Sequence, residues 1–243
     1  FTRVDTNPGV SLHKEMFFLP YSWSTHYNGS EAEIMFQLST KLRILRSGFF
    51  LGYTQKSFWQ AYNPESAPFR DTNFNPEVFW RIAPSNSRLK HWGFDIGIEH
   101  ESNGRGGEES RSWNRAYFAV HNQSRQTLVY LKAWHRIDRE KECPKDPNGQ
   151  ELASCHGDPA YDDNPDILDF LGYGEANVYV RLTKGDKPPM LHAMVRGNPG
   201  NAKGLVSLDY SHPSGSKDLN WFVSAWSGYG DSLLDYNRKQ TRG

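Results

Sequence analysis

The stretch GFDIGIEHESNGR (residues 93–105) decides how this chain folds. Read as a β-strand, side chains two apart share a face. Taken from one residue earlier, one face carries Trp92, Phe94, Ile96, Ile98, His100 and Ser102. The other carries Gly93, Asp95, Gly97, Glu99, Glu101 and Asn103. The carboxylates stand away from the apolar row. His100 and Ser102 stand on it, where hydrogen-bonding groups are costly unless paired.

The same alternation recurs along the chain between turn residues. It predicts strands near 15–23, 31–43, 48–62, 72–82, 91–102, 111–122, 126–137, 169–183, 189–197, 203–211 and 219–228, with a last one starting near Tyr236. No stretch shows a convincing helical period. Ile34, Phe36 and Leu38 form one apolar row; Ala176, Val178, Val180 and Leu182 form another; Val206, Leu208 and Tyr210 form a third. The opposite faces carry Arg111, Arg115, Lys132, Arg181 and Asp209.

A chain of 243 residues holds one large β domain or two ordinary ones. Its formal net charge is zero, so nothing points to nucleic acid. Mean hydropathy is −0.75, and no run approaches the roughly 18 apolar residues of a membrane helix. A transmembrane β-barrel hides its signal, because lipid-facing residues alternate with polar lumen residues. An aromatic content of 14% with low hydropathy suits a barrel. It also suits a secreted β-sandwich.

The connections separate these two. The segments around NPES–FRDT (63–72), NGRGGEE (103–109) and 138–168 are long and polar. APSNS, NQSR, KGDK and NPGNA are short. Long loops at one end and short turns at the other is the pattern of bacterial outer-membrane barrels, which take an even number of strands. The expectation is an all-β, transmembrane antiparallel barrel of about twelve strands. It would form one domain over 1–243 with a Cys-containing loop at about 138–168, most of the closing strand lying outside the sequence. The sequence shows no signal peptide at Phe1, so an exported protein is expected here in a mature or trimmed form. Cys143 and Cys155 share that loop. A bridge between them suits an oxidising compartment and contributes roughly 3 kcal/mol in the chain-entropy model; the alternative is two free surface thiols.

The next segment, SRSWNRAYFAV (110–120), puts Ser112, Asn114, Ala116, Phe118 and Val120 on one face. A hairpin through NGRGGEES brings Asn114 beside His100. Ser102 is then a candidate nucleophile, and His100, one strand period away at about 6.5–7 Å between Cα atoms, its base. Asn114 is placed to accept a hydrogen bond from the other imidazole nitrogen. A neutral Asn in place of the usual Asp avoids burying an unpaired carboxylate near lipid. The loop glycines Gly104, Gly106 and Gly107 leave carbonyls open to a hard cation, and calcium takes such oxygens. A His and a Ser two apart is, by itself, more often a structural pair.

HESNGRGGEESRSWNR resembles the signature region of the bacterial outer-membrane phospholipase A family. YTQKSFWQAYNPESAPFRDTNF upstream, and DDNPDI and SGYGDSLLDYN downstream, extend the resemblance from about Glu31 to Arg242. It implies a twelve-stranded barrel in the outer membrane that hydrolyses acyl esters of membrane phospholipids, of A1, A2 and lysophospholipase type. It further implies calcium as cofactor and activity as a homodimer. By motif, the nucleophile is Ser102, the base His100 and the orienting residue Asn114. Calcium ligands are implied at the Arg105 carbonyl, the Ser110 side chain and, from the partner chain, the Ser66 carbonyl. Asp163 matches an aspartate of a secondary, monomer-type calcium site. Gly107 replaces the second acidic ligand of that site, with Glu108 and Glu109 beside it. The Cys-bearing segment is longer than the family pattern.

Two other classes remain open on residues alone. One is a passive barrel, a small pore or an adhesin. The other is a soluble sandwich esterase, whose usual G-x-S-x-G turn is absent. His121, His135 and His192 are expected in the lumen or at interfaces. Trp59, Trp92, Trp221 and Tyr229 are expected in the aromatic girdles. In GFFLGYTQKSFW (48–59) the outward face reads Phe49, Leu51, Tyr53, Gln55, Ser57, Trp59. An amide in a lipid-facing row needs a polar partner. Gln55 either bonds within its own wall or meets its counterpart across a two-fold axis.

Overall fold

The computed structural model describes residues 9–44, 47–83, 88–138, 141, 143–150, 152, 161–216 and 219–243. Thirteen strands make one antiparallel sheet. They are β1 (Gly9–Leu12), β2 (Phe17–Ser22), β3 (Glu33–Arg43), β4 (Phe49–Trp59), β5 (Phe69–Ile82), β6 (Trp92–Ser102) and β7 (Ser112–Gln123). Then come β8 (Thr127–Arg136), β9 (Gly174–Arg181), β10 (Met190–Asn198), β11 (Lys203–Pro213), β12 (Asn220–Gly228) and β13 (Gln240–Arg242). From β3 to β13 each strand pairs with the next. β1 covers Thr40–Arg43 and β2 covers Glu33–Gln37 along the same edge of β3. The thirteen strands therefore occupy twelve positions around a barrel.

Among the described residues, the strand path is joined at one rim only. β13 pairs with Trp226–Gly228 of β12. Beyond β2, the Trp23 and Thr25 amides donate to Gly243 and Thr241 at 3.0 Å each. Below that rim β2 and β12 face each other without a ladder, Phe17 stacked on Phe222 at 5.3 Å.

Burial is inverted relative to a soluble domain. On β6, Ile96 and Ile98 are each 56% exposed, whereas Asp95 is 2% and Glu99 3% exposed. The apolar row faces outward, where only lipid makes it favourable, and the charges face the lumen, paired. Asp95 meets Arg81 at 2.6 Å; Glu99 meets Lys132 at 2.9 Å and Arg115 at 3.2 Å. The lumen-side glycines of the stretch quoted above have a packing reason. A Cβ at Gly93 would lie 1.9 Å from the His121 ring, and one at Gly97 would lie 2.7 Å from Tyr117 and from Phe79. Large rings of the lumen lie across β6 at these two points. His192 is also a lumen residue, while His135 is exposed on the outer wall.

Between β1 and β2 the chain turns inward. His13 bonds Glu77 and stacks on Phe79, Lys14 donates to Asn75 at 2.9 Å, and Glu15 pairs with His192 at 3.4 Å. Three consecutive residues thus tie β5 to β10 across the lumen. The space left there is a cavity of about 300 Å³. Among the described residues, no helix is long and apolar enough to cross a membrane.

Three expectations change. The strand expected over 169–183 begins only at Gly174, and Ile167–Leu171 form a short helix, α1. Ile167 and Leu171, one turn apart, are buried with Trp134, Leu233 and Tyr236, and Gly172 ends the turn at φ 70°. Burial, then its bond to Asp166, pushes the Tyr236 phenol up, so it stays a donor. The short connection 199–202 lies on the long-loop rim, where Asn198 and Asn201 donate to the carbonyls of Leu168 and Asp169 in α1. The last strand begins at Gln240, after the buried turn residues Asp231, Ser232, Leu233 and Tyr236. The expected Cys143–Cys155 bridge falls partly outside the described residues, which include Cys143 but not Cys155.

Candidate active site

The register of β6 on β7 pairs His100 with Asn114 and Ser102 with Ser112. All four lie at the long-loop end of an outward face, just past Ile98. His100 Nδ1 and Asn114 Oδ1 are 2.9 Å apart. Nε2 of His100 is free of that contact, and Ser102 stands one strand repeat away on the same face. Among the described residues, His100 and Ser102 make no direct hydrogen bond. The structure thus brings His100 and Asn114 into contact and leaves Ser102 beside them.

The hairpin loop is fastened by Asn103. Its Oδ1 accepts from the Arg111 amide at 3.0 Å and its Nδ2 donates to the Glu109 carbonyl at 2.8 Å. A 3-10 turn, Gly107–Glu109, follows, with Gly107 at φ 66°. The Arg105 guanidinium pairs with Glu109 and donates to the carbonyls of Phe69 and Arg70, which holds the loop against β5. Ser110 Oγ donates to Asp163 Oδ2 at 2.7 Å, and the Ser112 amide donates to Asp163 Oδ1 at 3.1 Å. The Ser110 hydroxyl, on the loop that carries the Arg105 carbonyl, and the Asp163 carboxylate that it touches from the β8–α1 connection make a hard-oxygen donor set with the chemistry calcium takes. Ser66 is exposed in the β4–β5 connection and makes no hydrogen bond to Arg105 or Ser110 among the described residues.

Gln55 is satisfied within its own wall. Its Oε1 accepts from Tyr53 Oη at 3.0 Å and its Nε2 donates to Ser57 Oγ at 3.2 Å. One amide proton and one lone pair are left over.

Sequence reasoning missed the residues behind His100 and Asn114. The Asn114 backbone N–H donates to Asp138 Oδ2 at 2.8 Å. Asp138 Oδ1 accepts from Arg136 Nε at 2.6 Å, and Arg136 also reaches Asp162 Oδ1 at 2.6 Å and the Asn164 carbonyl at 2.9 Å. The available signal was an Arg and an Asp two apart at the end of β8, the strand that pairs with β7. A second polar group, Glu15, His192 and Asp209, is close enough to hold a metal. It lies in the lumen, and both ring nitrogens of His192 are already engaged, by Asp209 and by Asn177 at 2.9 Å each. It acts there as an ion-pair clasp.

Comparison with known proteins follows the same lines. The family model described as phospholipase A1 matches residues 7–243. A putative phospholipase A1 of Neisseria meningitidis serogroup B is 32% identical over 96% of this chain and 63% of its own length, so the chain spans under two thirds of that relative. The outer membrane phospholipase A structure from Escherichia coli superposes with a TM-score of 0.78 at 30% identity, covering 96% of this chain and 95% of that one. A Salmonella typhi outer membrane phospholipase, solved as a dimer with bound calcium, gives a TM-score of 0.79 at 28% identity, covering 98% and 91%.

Proposed function

Because the chain belongs to the phospholipase A1 family, we propose that it hydrolyses acyl esters of phospholipids from the outer wall of its barrel. The proposal covers A1, A2 and lysophospholipase activity. The barrel is of the outer-membrane type. The observation that carries the reading is the 2.9 Å contact of His100 Nδ1 with Asn114 Oδ1, on a membrane-facing wall beside Ser102. The contact holds the proton on Nδ1 and leaves the Nε2 lone pair free to act as a base.

The steps balance with the chain's own groups. Ser102 Oγ attacks the acyl carbonyl carbon while its proton passes to His100 Nε2. As the tetrahedral species collapses, His100 returns that proton to the departing alcohol oxygen of the lysolipid. Water, deprotonated by His100, then attacks the acyl-serine. The fatty acid leaves and Ser102 recovers its proton. Asn114 holds the imidazole throughout. Calcium, held by the Arg105 carbonyl and the Ser110 side chain, would polarise the ester carbonyl. Asp163, hydrogen-bonded to Ser110, would supply the anionic charge of a monomer-type site. In the same reading, residues 1–243 act as one barrel domain and Cys143 and Cys155 are bridged.

The test is a phospholipid hydrolysis assay on detergent-extracted protein. Chelation by EDTA is expected to stop turnover and added calcium to restore it. Ser110→Ala should raise the calcium needed for half-activity roughly tenfold, the scale of disturbing one group around a metal site. Turnover that ignores the chelator removes calcium from the reading.

We also propose that two copies act together, with Gln55 at their contact. Its remaining proton and lone pair can pair with the same atoms of a second copy, and Ser66 would then reach the partner's calcium site. Membrane amide contacts are worth roughly 0.6–2 kcal/mol. Gln55→Leu is expected to weaken association in detergent by about three- to thirtyfold on that scale, as measured by ultracentrifugation, with calcium affinity falling in parallel. A monomer with full activity sinks this part.

A further inference from the structure

We propose that Asp138 is a positioning residue that fixes which way the Asn114 amide points. This rests on the reading of Ser102, His100 and Asn114 as the hydrolytic triad. An asparagine side chain has two ends of nearly equal shape and opposite hydrogen-bonding character. For His100 to serve as a base at Nε2, the end facing Nδ1 must be the oxygen. Flipped by 180°, the amide would offer N–H to Nδ1. The imidazole would then keep its proton on Nε2, where it cannot accept one from Ser102. A triad with Asn in the third place therefore needs something that an Asp does not: a device that tells the two ends apart.

Asp138 is that device. A carboxylate accepts and never donates. Its Oδ2 lies 2.8 Å from the Asn114 backbone N and 3.4 Å from Nδ2. The nitrogen end of the side chain is thus the end that belongs beside Asp138, which turns Oδ1 toward His100. Asp138 is in turn held. Its other oxygen accepts from Arg136 Nε at 2.6 Å, its side chain is 7% exposed, and Arg136 is braced by Asp162 and the Asn164 carbonyl. Asp163, next to Asp162, takes the Ser110 hydroxyl. A run of hydrogen bonds from the imidazole to Asp162, continued by the peptide link to Asp163, therefore reaches the Ser110 hydroxyl of the hairpin loop.

The test uses the full chain in detergent or lipid, with folded mobility on gels as the check that each variant forms a barrel. Asp138→Ala leaves Arg136 its bonds to Asp162 and Asn164, so the fold is expected to survive. In that variant kcat should fall about tenfold with KM within about twofold, the signature of a mis-set base rather than of lost substrate binding. The decisive pair is Asn114→Asp with and without Asp138→Asn. A carboxylate at 114 cannot be flipped wrongly, but it faces Asp138 as a like charge and should be poorly active. Adding Asp138→Asn replaces the repulsion by a donor and should return about tenfold or more of the activity. Wild-type kcat in Asp138→Ala overturns the proposal, and so does a double variant no better than Asn114→Asp alone, which would mark a merely structural role. Ser102→Ala separates this from the underlying reading: if that variant still hydrolyses phospholipid, the triad itself is wrong, whatever Asp138 does.

Discussion

Ser102→Ala is expected to abolish ester hydrolysis, lowering turnover by at least about 10³-fold, while the barrel keeps its heat-modifiable mobility on gels. The substitution removes one oxygen from the half-exposed end of β6, and that oxygen makes no hydrogen bond with His100 in the resting protein. Nothing in the packing depends on it, so loss of activity with retained fold isolates chemistry. His100→Ala is expected to be about as damaging, because a nucleophile and its base act as a unit. Asn114→Ala should cost less, about ten- to a hundredfold, since the imidazole still has one correct tautomer in its population. The assay is release of fatty acid from phospholipid in mixed micelles. Near-normal turnover by Ser102→Ala would remove the nucleophile assignment.

The largest effect on stability is expected at Glu33. It is fully buried at the start of β3. It binds the guanidinium of Arg70 on β5 and, at 2.8 Å, that of Arg242 on β13. Arg242 also holds Asp231 at 2.6 Å, and Arg70 holds Asp235 at 2.6 Å. This cluster sits where β13 meets the end of β2. Removing one member of a buried charge cluster typically costs about 3–5 kcal/mol, because the remaining charges stay in the interior without full compensation. Glu33→Ala should therefore lower stability by that amount and loosen the rim contact of Trp23 with Gly243. Glu33→Gln keeps the shape and one acceptor oxygen but sets its NH2 against a guanidinium donor, so it should recover only part of that loss. Urea titration of the folded band in lipid vesicles measures both. A change in Glu33→Ala of under about 1 kcal/mol would show that the cluster is solvated.

Parity carried most of the fold. Ile96 and Asp95 are adjacent in sequence and go to opposite sides of the wall, and a strand period states that outright. The period does not state which side is lipid. That came from loop lengths, and the loops mislead at 199–202, a short turn that strand alternation puts on the long-loop rim, where it bonds to α1. The α1 turn itself was invisible, since five residues with two apolar positions one turn apart carry too little period to read. β1 was missed for a related reason: Gly9–Leu12 is a four-residue strand cut off by residues that turn into the lumen. At the site, strand pairing put Asn114 opposite His100 correctly, because consecutive antiparallel strands pair and parity restricts the partners to residues of the same face. Asp138 was out of reach. It contacts Asn114 from beyond the end of a different strand, and only three-dimensional placement joins them.

The position of the apolar row has a consequence of its own. On β6 it ends at Ile98, and His100 and Ser102 follow at roughly 3.3 Å per residue. The proposed nucleophile is therefore held at a set height on a wall rather than at the bottom of a pocket. In a bilayer the linkages between glycerol and fatty chains also occupy a set height, just above the hydrocarbon. A reactive group fixed in this way selects by altitude: whatever acyl ester diffuses past at that level is presented to it, and the chemistry of what hangs above or below is secondary. Such an arrangement recognises a layer of the membrane, and individual lipids only as members of that layer.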